Sequence, residues 1–98
     1  MVVYGYVKDV KYSGDGNMYV KVRIPNIHGP DRKSEYRGNP VRNYVNTENL
    51  PYYQANLLSS VPIYGDVVEL RSPNENTTTL YVSGITGGNV QARFAEED

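Results

Sequence analysis

The residues of this chain that are suited to chemistry are few and scattered. His28 is the only histidine, and there is no cysteine. An imidazole can serve as a base or a metal ligand, but a metal site needs several convergent donors. Only the accident of folding would bring Asp31 or Asp66 to His28, so the residues describe a loop or interface histidine rather than a centre. Glu35 and Glu48 have a spacing open to a carboxylate pair of the kind used in glycoside hydrolysis. That chemistry needs one carboxyl protonated by its surroundings. A small domain supplies no such burial, and both read as solvated charges. Ser83-Gly84-Ile85-Thr86-Gly87-Gly88 is glycine-rich, but a phosphate-cradling loop opens a helix, and no helix follows. No catalytic residue, cofactor or metal is expected.

The elements that would hold such residues are strands. Residues 2–12 (VVYGYVKDVKY) are β-branched and aromatic, and SGDGN at 13–17 suits the positive φ angles of a hairpin loop. MYVKVRI at 18–24 alternates cleanly, with Met18, Val20, Val22 and Ile24 on one face and Tyr19, Lys21 and Arg23 on the other. Residues 26–49 form a long polar stretch without periodicity. LPYYQANLL at 50–58 reads as a strand with Tyr53, Ala55 and Leu57 on one face, in preference to a short helical turn. Pro62 and Gly65 mark a turn. DVVELRS at 66–72 presents Val68 and Leu70 inward, and TTLYVSGI at 78–85 presents Leu80 and Val82 inward. These segments predict an all-β fold, a small five-stranded OB-type barrel with one long loop between strands 2 and 3. A five-stranded SH3-like barrel is the structural rival. The barrel is expected over residues 1–88, with an acidic tail at 89–98. Val20, Val22, Val68, Leu70, Leu80 and Val82 are the predicted core.

Composition narrows the function classes. The chain has 98 residues, 10 basic and 11 acidic side chains and a net charge of -1. Such balance creates no general field for phosphate backbones. No apolar run approaches the roughly 18 residues of a membrane span, and neither a signal peptide nor an anchor is visible. Ten tyrosines stand against one phenylalanine and no tryptophan. Tyrosine packs an apolar ring while its hydroxyl stays wet, which suits half-buried strands and protein interfaces. OB barrels also bind single-stranded nucleic acid by stacking bases on aromatics beside basic residues. Tyr19, Lys21 and Arg23, with Tyr4 or Tyr6 beside them, are the stripe that would do so here. That is the alternative reading, which the neutral charge disfavours.

The order of features carries a resemblance. GYVKDV, a hairpin, VKVRIPNIHGP, a long loop, LPY, VPIYGDVVELR and LYVSGITGG follow one another. This order resembles the baseplate OB domain of contractile-tail phage central spike (tail lysozyme) proteins, with relatives among baseplate-assembly and type VI secretion spike proteins. The matching features are Gly5, Val22 to His28, Leu50 to Tyr52, and Pro62 to Val68, over roughly residues 3–88. The resemblance implies a structural adaptor and not an enzyme. It would be synthesised in the host cytoplasm, sit in the virion baseplate as a homotrimer, and join a threefold tail hub protein to a spike or needle protein. No lysozyme-like sequence or β-helix repeat is present, so lytic activity is not carried over. The needle is then a separate polypeptide, or this chain is the barrel portion of something larger. On this reading the turn from Asn26 to Pro30 projects side chains toward a neighbour. The candidates for protein contacts are Ile27, His28, Arg32, Tyr36, Arg37, Tyr44, Tyr52, Tyr53 and Phe94.

Overall fold

The computed structural model describes residues 2–36, 44–73 and 79–86. Five strands form a closed barrel: β1 (Val2–Tyr12), β2 (Met18–Arg23), β3 (Tyr52–Gln54), β4 (Val67–Arg71) and β5 (Tyr81–Ile85). Their order around the barrel is β1-β2-β3-β5-β4, with β1 closing onto β4. All pairs are antiparallel except β3 with β5. This is the expected all-β barrel of the OB type. A single helical turn, α1 (Pro25–His28), and 3-10 turns at Lys33–Glu35 and Thr47–Asn49 break the long connection between β2 and β3.

The six predicted core residues are all buried, joined by Val7, Met18, Ile24 and Ala55. Val3, Gly5 and Val7 alternate onto the inward face, but Val10 falls out of phase with them for a physical reason. β1 is long enough to serve two neighbours, β4 over Val2–Tyr6 and β2 over Tyr6–Tyr12. Its register slips between Val7 and Asp9, leaving Lys8 as an extra residue. Such a bulge bends a strand and inverts its alternation. Gly5 stands where β1 passes close to the end of β2. A Cβ there would lie 2.4 Å from Val22 Cγ1 and 2.6 Å from the Arg23 carbonyl oxygen, so only glycine fits.

The turn before β4 is built by its own residues. Gly65 takes a φ of +90°, which glycine adopts without strain. Its N–H donates to the Val7 carbonyl at 2.9 Å, and Val7 N–H donates to the Asp66 carbonyl at 2.9 Å. The buried Asp66 carboxylate accepts the Ile63 N–H at 3.0 Å. Gly65 and Asp66 thus pin the turn onto β1 beside its bulge.

Two expectations are corrected here. β3 covers only Tyr52–Gln54, because the chain turns at Ala55 and Leu58 N–H bonds the Ala55 carbonyl. Leu57 is consequently 71% exposed and does not share the inward face of Tyr53 and Ala55. Arg23, expected on the solvent side of β2, is fully buried.

Candidate functional site

Strand alternation does turn Arg23 away from the core formed by Val20 and Val22. The long connection then folds back over that side and encloses the guanidinium. Nη1 donates to the His28 carbonyl at 3.0 Å, and Nη2 donates to the Val45 carbonyl at 2.6 Å and Thr47 Oγ1 at 3.3 Å. The guanidinium lies over the Tyr44 ring, 4.5 Å from its centroid. Among the described residues no carboxylate pairs with it, and its Nε has no hydrogen-bond partner. Carbonyl dipoles and a π face therefore stabilise this cation. A planar fork with several donors suits the task in a way an ammonium does not.

His28 closes the turn that begins at Ile24. Pro25 starts α1 with its φ preset and no N–H to satisfy. Ile27 and His28 N–H both bond the Ile24 carbonyl, at 2.8 and 2.7 Å. The buried His28 ring completes the turn from its side chain, Nδ1 accepting the Ile24 N–H at 2.9 Å. That acceptor role places the ring proton on Nε2. Burial, and secondly the Arg23 charge, hold the imidazole below its ordinary pKa. Gly29 follows at φ +92°, where a Cβ would come 3.0 Å from the Tyr44 ring. Val45 N–H returns to the His28 carbonyl at 2.9 Å, so that one oxygen serves both Arg23 and the returning chain.

The connection is fixed at further points. Lys8, the extra residue of the β1 bulge, pairs with Asp31 and lies 4.7 Å from the centroid of the Tyr64 ring. Tyr36 meets Tyr44 edge to face at 5.8 Å. Outward from this braced rim lies a cleft of about 250 Å³, lined by Val2, Tyr4, Tyr6, Pro25, Asn26 and Val67. Val2, Tyr4 and Ile27 are exposed.

The sequence candidates for protein contacts separate accordingly. Ile27 is exposed on the rim, and Arg32 is exposed with Glu35 at 3.9 Å. His28 is an internal brace and does not offer its ring to a neighbour. Tyr36 and Tyr44 are half-buried against each other, with Arg23 on the Tyr44 ring. Tyr53 packs on the core. Arg37 and Phe94 lie outside the described residues, as do Arg42 and the acidic tail. Glu35 and Glu48 are both exposed, and no group of three potential metal ligands occurs among the described residues.

Tyr52 belongs to a second cluster on the outer face of β1, β2 and β3. Cross-strand register sets Asp9 beside Lys21 and Lys21 beside Tyr52. Lys11 and Lys21 ammoniums lie 4.1 and 5.2 Å from the Tyr52 ring centroid. The Tyr52 hydroxyl donates to Asp9 Oδ2. That bond lowers the Asp9 pKa and raises that of Tyr52. Of the proposed basic-aromatic stripe, Tyr19 and Lys21 remain on this face, and Arg23 does not.

Sequence reasoning missed Arg23 because alternation reports which side of a strand a residue occupies, not what covers that side. A usable signal existed. A long aperiodic connection leaving β2 beside an arginine needs a donor for its own carbonyls. Comparison of the chain with protein-family models, curated proteins and solved structures found no match.

Proposed function

We infer that this protein is a structural adaptor of a contractile phage tail baseplate, joining a threefold tail hub to the central spike as a homotrimer in the virion. The observation that carries the reading is the braced rim. The segment Val22 to His28, which bears the most distinctive part of the resemblance, is built around an internal clamp. Gly5 and the Pro62–Val68 turn, two further shared features, likewise do architectural work. Shared residues that hold a shape fit a part that presents a surface better than one that performs a reaction. The surface so presented is the rim with exposed Ile27 beside the cleft of Val2 and Tyr4. Exposed ion pairs of the connection would add only about 0–1 kcal/mol each to any contact, so affinity would come from these apolar and aromatic groups.

The test is residue-specific crosslinking of intact particles followed by mass spectrometry. Crosslinks from the rim and the 29–36 segment to hub or needle chains are expected. Absence of the chain from purified particles, or a rim that reacts only with solvent probes, would defeat the reading.

The Lys11–Tyr52–Lys21 cluster favours single-stranded nucleic acid as the second reading, since the outer face around strands 2 and 3 is where OB barrels bind such strands. The two lysines already flank the ring and Asp9 adds a negative charge at its hydroxyl, which counts against it. A labelled oligonucleotide titrated at low salt decides between them. Saturable binding abolished by Tyr52→Ala would favour nucleic acid.

A further inference from the structure

The segment that joins β3 to β4 inverts the usual division of a loop. Leu57, Val61, Ile63 and Tyr64 are exposed, while polar groups of the same segment hold it in place. The Asn56 side chain accepts the Met18 N–H at 2.8 Å and donates to Asn17 Oδ1 at 2.6 Å. Leu58 N–H bonds the Ala55 carbonyl at 3.2 Å. Pro62 is buried, and the Asp66 carboxylate and Gly65 N–H fasten the far end. A backbone fixed in this way has little ordering cost left when its side chains are covered.

Charge sets the segment apart as well. Of the chain's residues 21% are charged, yet none of the sixteen from Leu50 to Gly65 is acidic or basic. The connection between β2 and β3, by contrast, carries Asp31, Arg32, Lys33 and Glu35. Lys8, whose ammonium lies by the Tyr64 ring, has its side chain covered and paired with Asp31. Exposed apolar groups without charge characterise the centre of a protein–protein contact. A lipid surface is the wrong occupant, because interfacial binding joins apolar groups to Lys and Arg facing anionic headgroups. A charged ligand is equally unsuited, since it would lose its water and meet no opposite charge.

A cleft of about 360 Å³ opens beside these residues, between Tyr12, Leu58 and Val61, and Met18 and Ala55 of the core help to line it. The Asn17 and Asn56 side chains at its edge are bonded to each other. It is shaped for an apolar side chain. Five steps of roughly 3.3 Å separate Met18 from Arg23, so the cleft lies about 16 Å along β2 from the rim.

We propose that Leu57, Val61 and Ile63, with the cleft beside Val61, form a second contact face, which takes an uncharged apolar surface of a protein other than the one the rim contacts. This rests on the adaptor reading and supplies the second of the two ends that an adaptor needs. A photo-crosslinking residue at Leu57 of the full chain and, in a separate sample, at Ile27 tests it in intact particles read by mass spectrometry. The two sites are expected to reach different protein chains. Leu57→Lys and Val61→Lys should each lower incorporation into particles at least about tenfold. The melting temperature of either isolated variant should move by less than about 4 °C, as for surface changes in a domain of this size. Crosslinks from Leu57 to the chain that Ile27 reaches, to its own chain, to a second copy, to lipid, or to nothing would overturn the proposal and leave the adaptor reading standing. So would full incorporation of both variants, or a larger fall in melting temperature, which would make the face part of the fold's own support. Absence of the chain from particles would instead defeat the adaptor reading, and this assignment with it.

Discussion

The Arg23–His28 rim and the outer face around Tyr52 are made from the same materials. Each sets basic side chains against a tyrosine ring and oxygen acceptors. In the rim the cation is fully buried, its acceptors are backbone carbonyls, and every contact fixes a piece of the long connection. On the outer face the lysine ammoniums lie over the Tyr52 ring at the surface, and the exposed Asp9 carboxylate accepts the Tyr52 hydroxyl. The lesson is that composition does not set the energetic weight of a polar cluster. Desolvation does, because a buried carbonyl that loses its donor cannot fall back on water.

The sharpest way to break that comparison is Arg23→Ala. It strips donors from the His28 and Val45 carbonyls and opens a void under Tyr44, so a loss of about 3 kcal/mol or more is expected in denaturant unfolding. Arg23→Lys should recover little, since an ammonium cannot span both carbonyls with a fork. A loss below about 0.5 kcal/mol, the usual range for surface changes, would place Arg23 with the exposed lysines.

Gly5→Ala asks whether the rim depends on the close approach of the strands beneath it. The added methyl meets Val22 and the backbone oxygen of Arg23 itself. Overpacking of this kind costs about 1–3 kcal/mol. Chemical shifts of residues 23–29 should move along with the melting temperature, whereas Gly14→Ala, with nothing within 4 Å of its Cβ, should leave them in place.

His28 adds a pH dependence near neutrality, whereas the lowered pKa of Asp9 on the outer face acts only in acid. Its folded pKa lies below the unfolded value of about 6.5. The unfolded chain therefore binds more protons between the two values, and stability rises with pH there. This contribution is fully present above about pH 6.5 and is lost as pH falls toward the folded pKa. Unfolding free energies measured from pH 5 to 8 should show that slope, and His28→Asn should flatten it. An unchanged slope in the variant would assign the dependence to other groups.

The smallest effect belongs to the outer face. Lys11→Ala and Lys21→Ala each remove an exposed ammonium from the Tyr52 ring, worth about 0.5–1 kcal/mol at such sites. Both losses should shrink further in high salt, while that of Arg23→Ala should not. Equal salt sensitivity in both regions would erase the distinction drawn between them.

Much of the barrel is legible in local chemistry alone. Alternation in 18–24, 67–71 and 80–82 identifies the inward residues, since each of these strands has one face against the core and successive side chains point to opposite faces. Gly16 of the first hairpin and Gly65 mark turns because the positive φ angles needed there suit glycine. Other features required the assembled chain. β1 turns Val10 to the core side out of phase with Val3 and Val7 because one strand bends to serve two neighbours, and the bulge that permits the bend breaks the alternation. β3 stops early because the chain turns at Ala55, a decision made by contacts with β2 rather than by the apolar run itself. Above all, Arg23 and His28 look like an exposed cation and a loop histidine in sequence. Their burial is decided by a connection that returns across β2 from Tyr44 to Thr47, some twenty residues away. Periodicity records a residue's relation to its own strand; what covers the far face of that strand is settled only when distant segments meet.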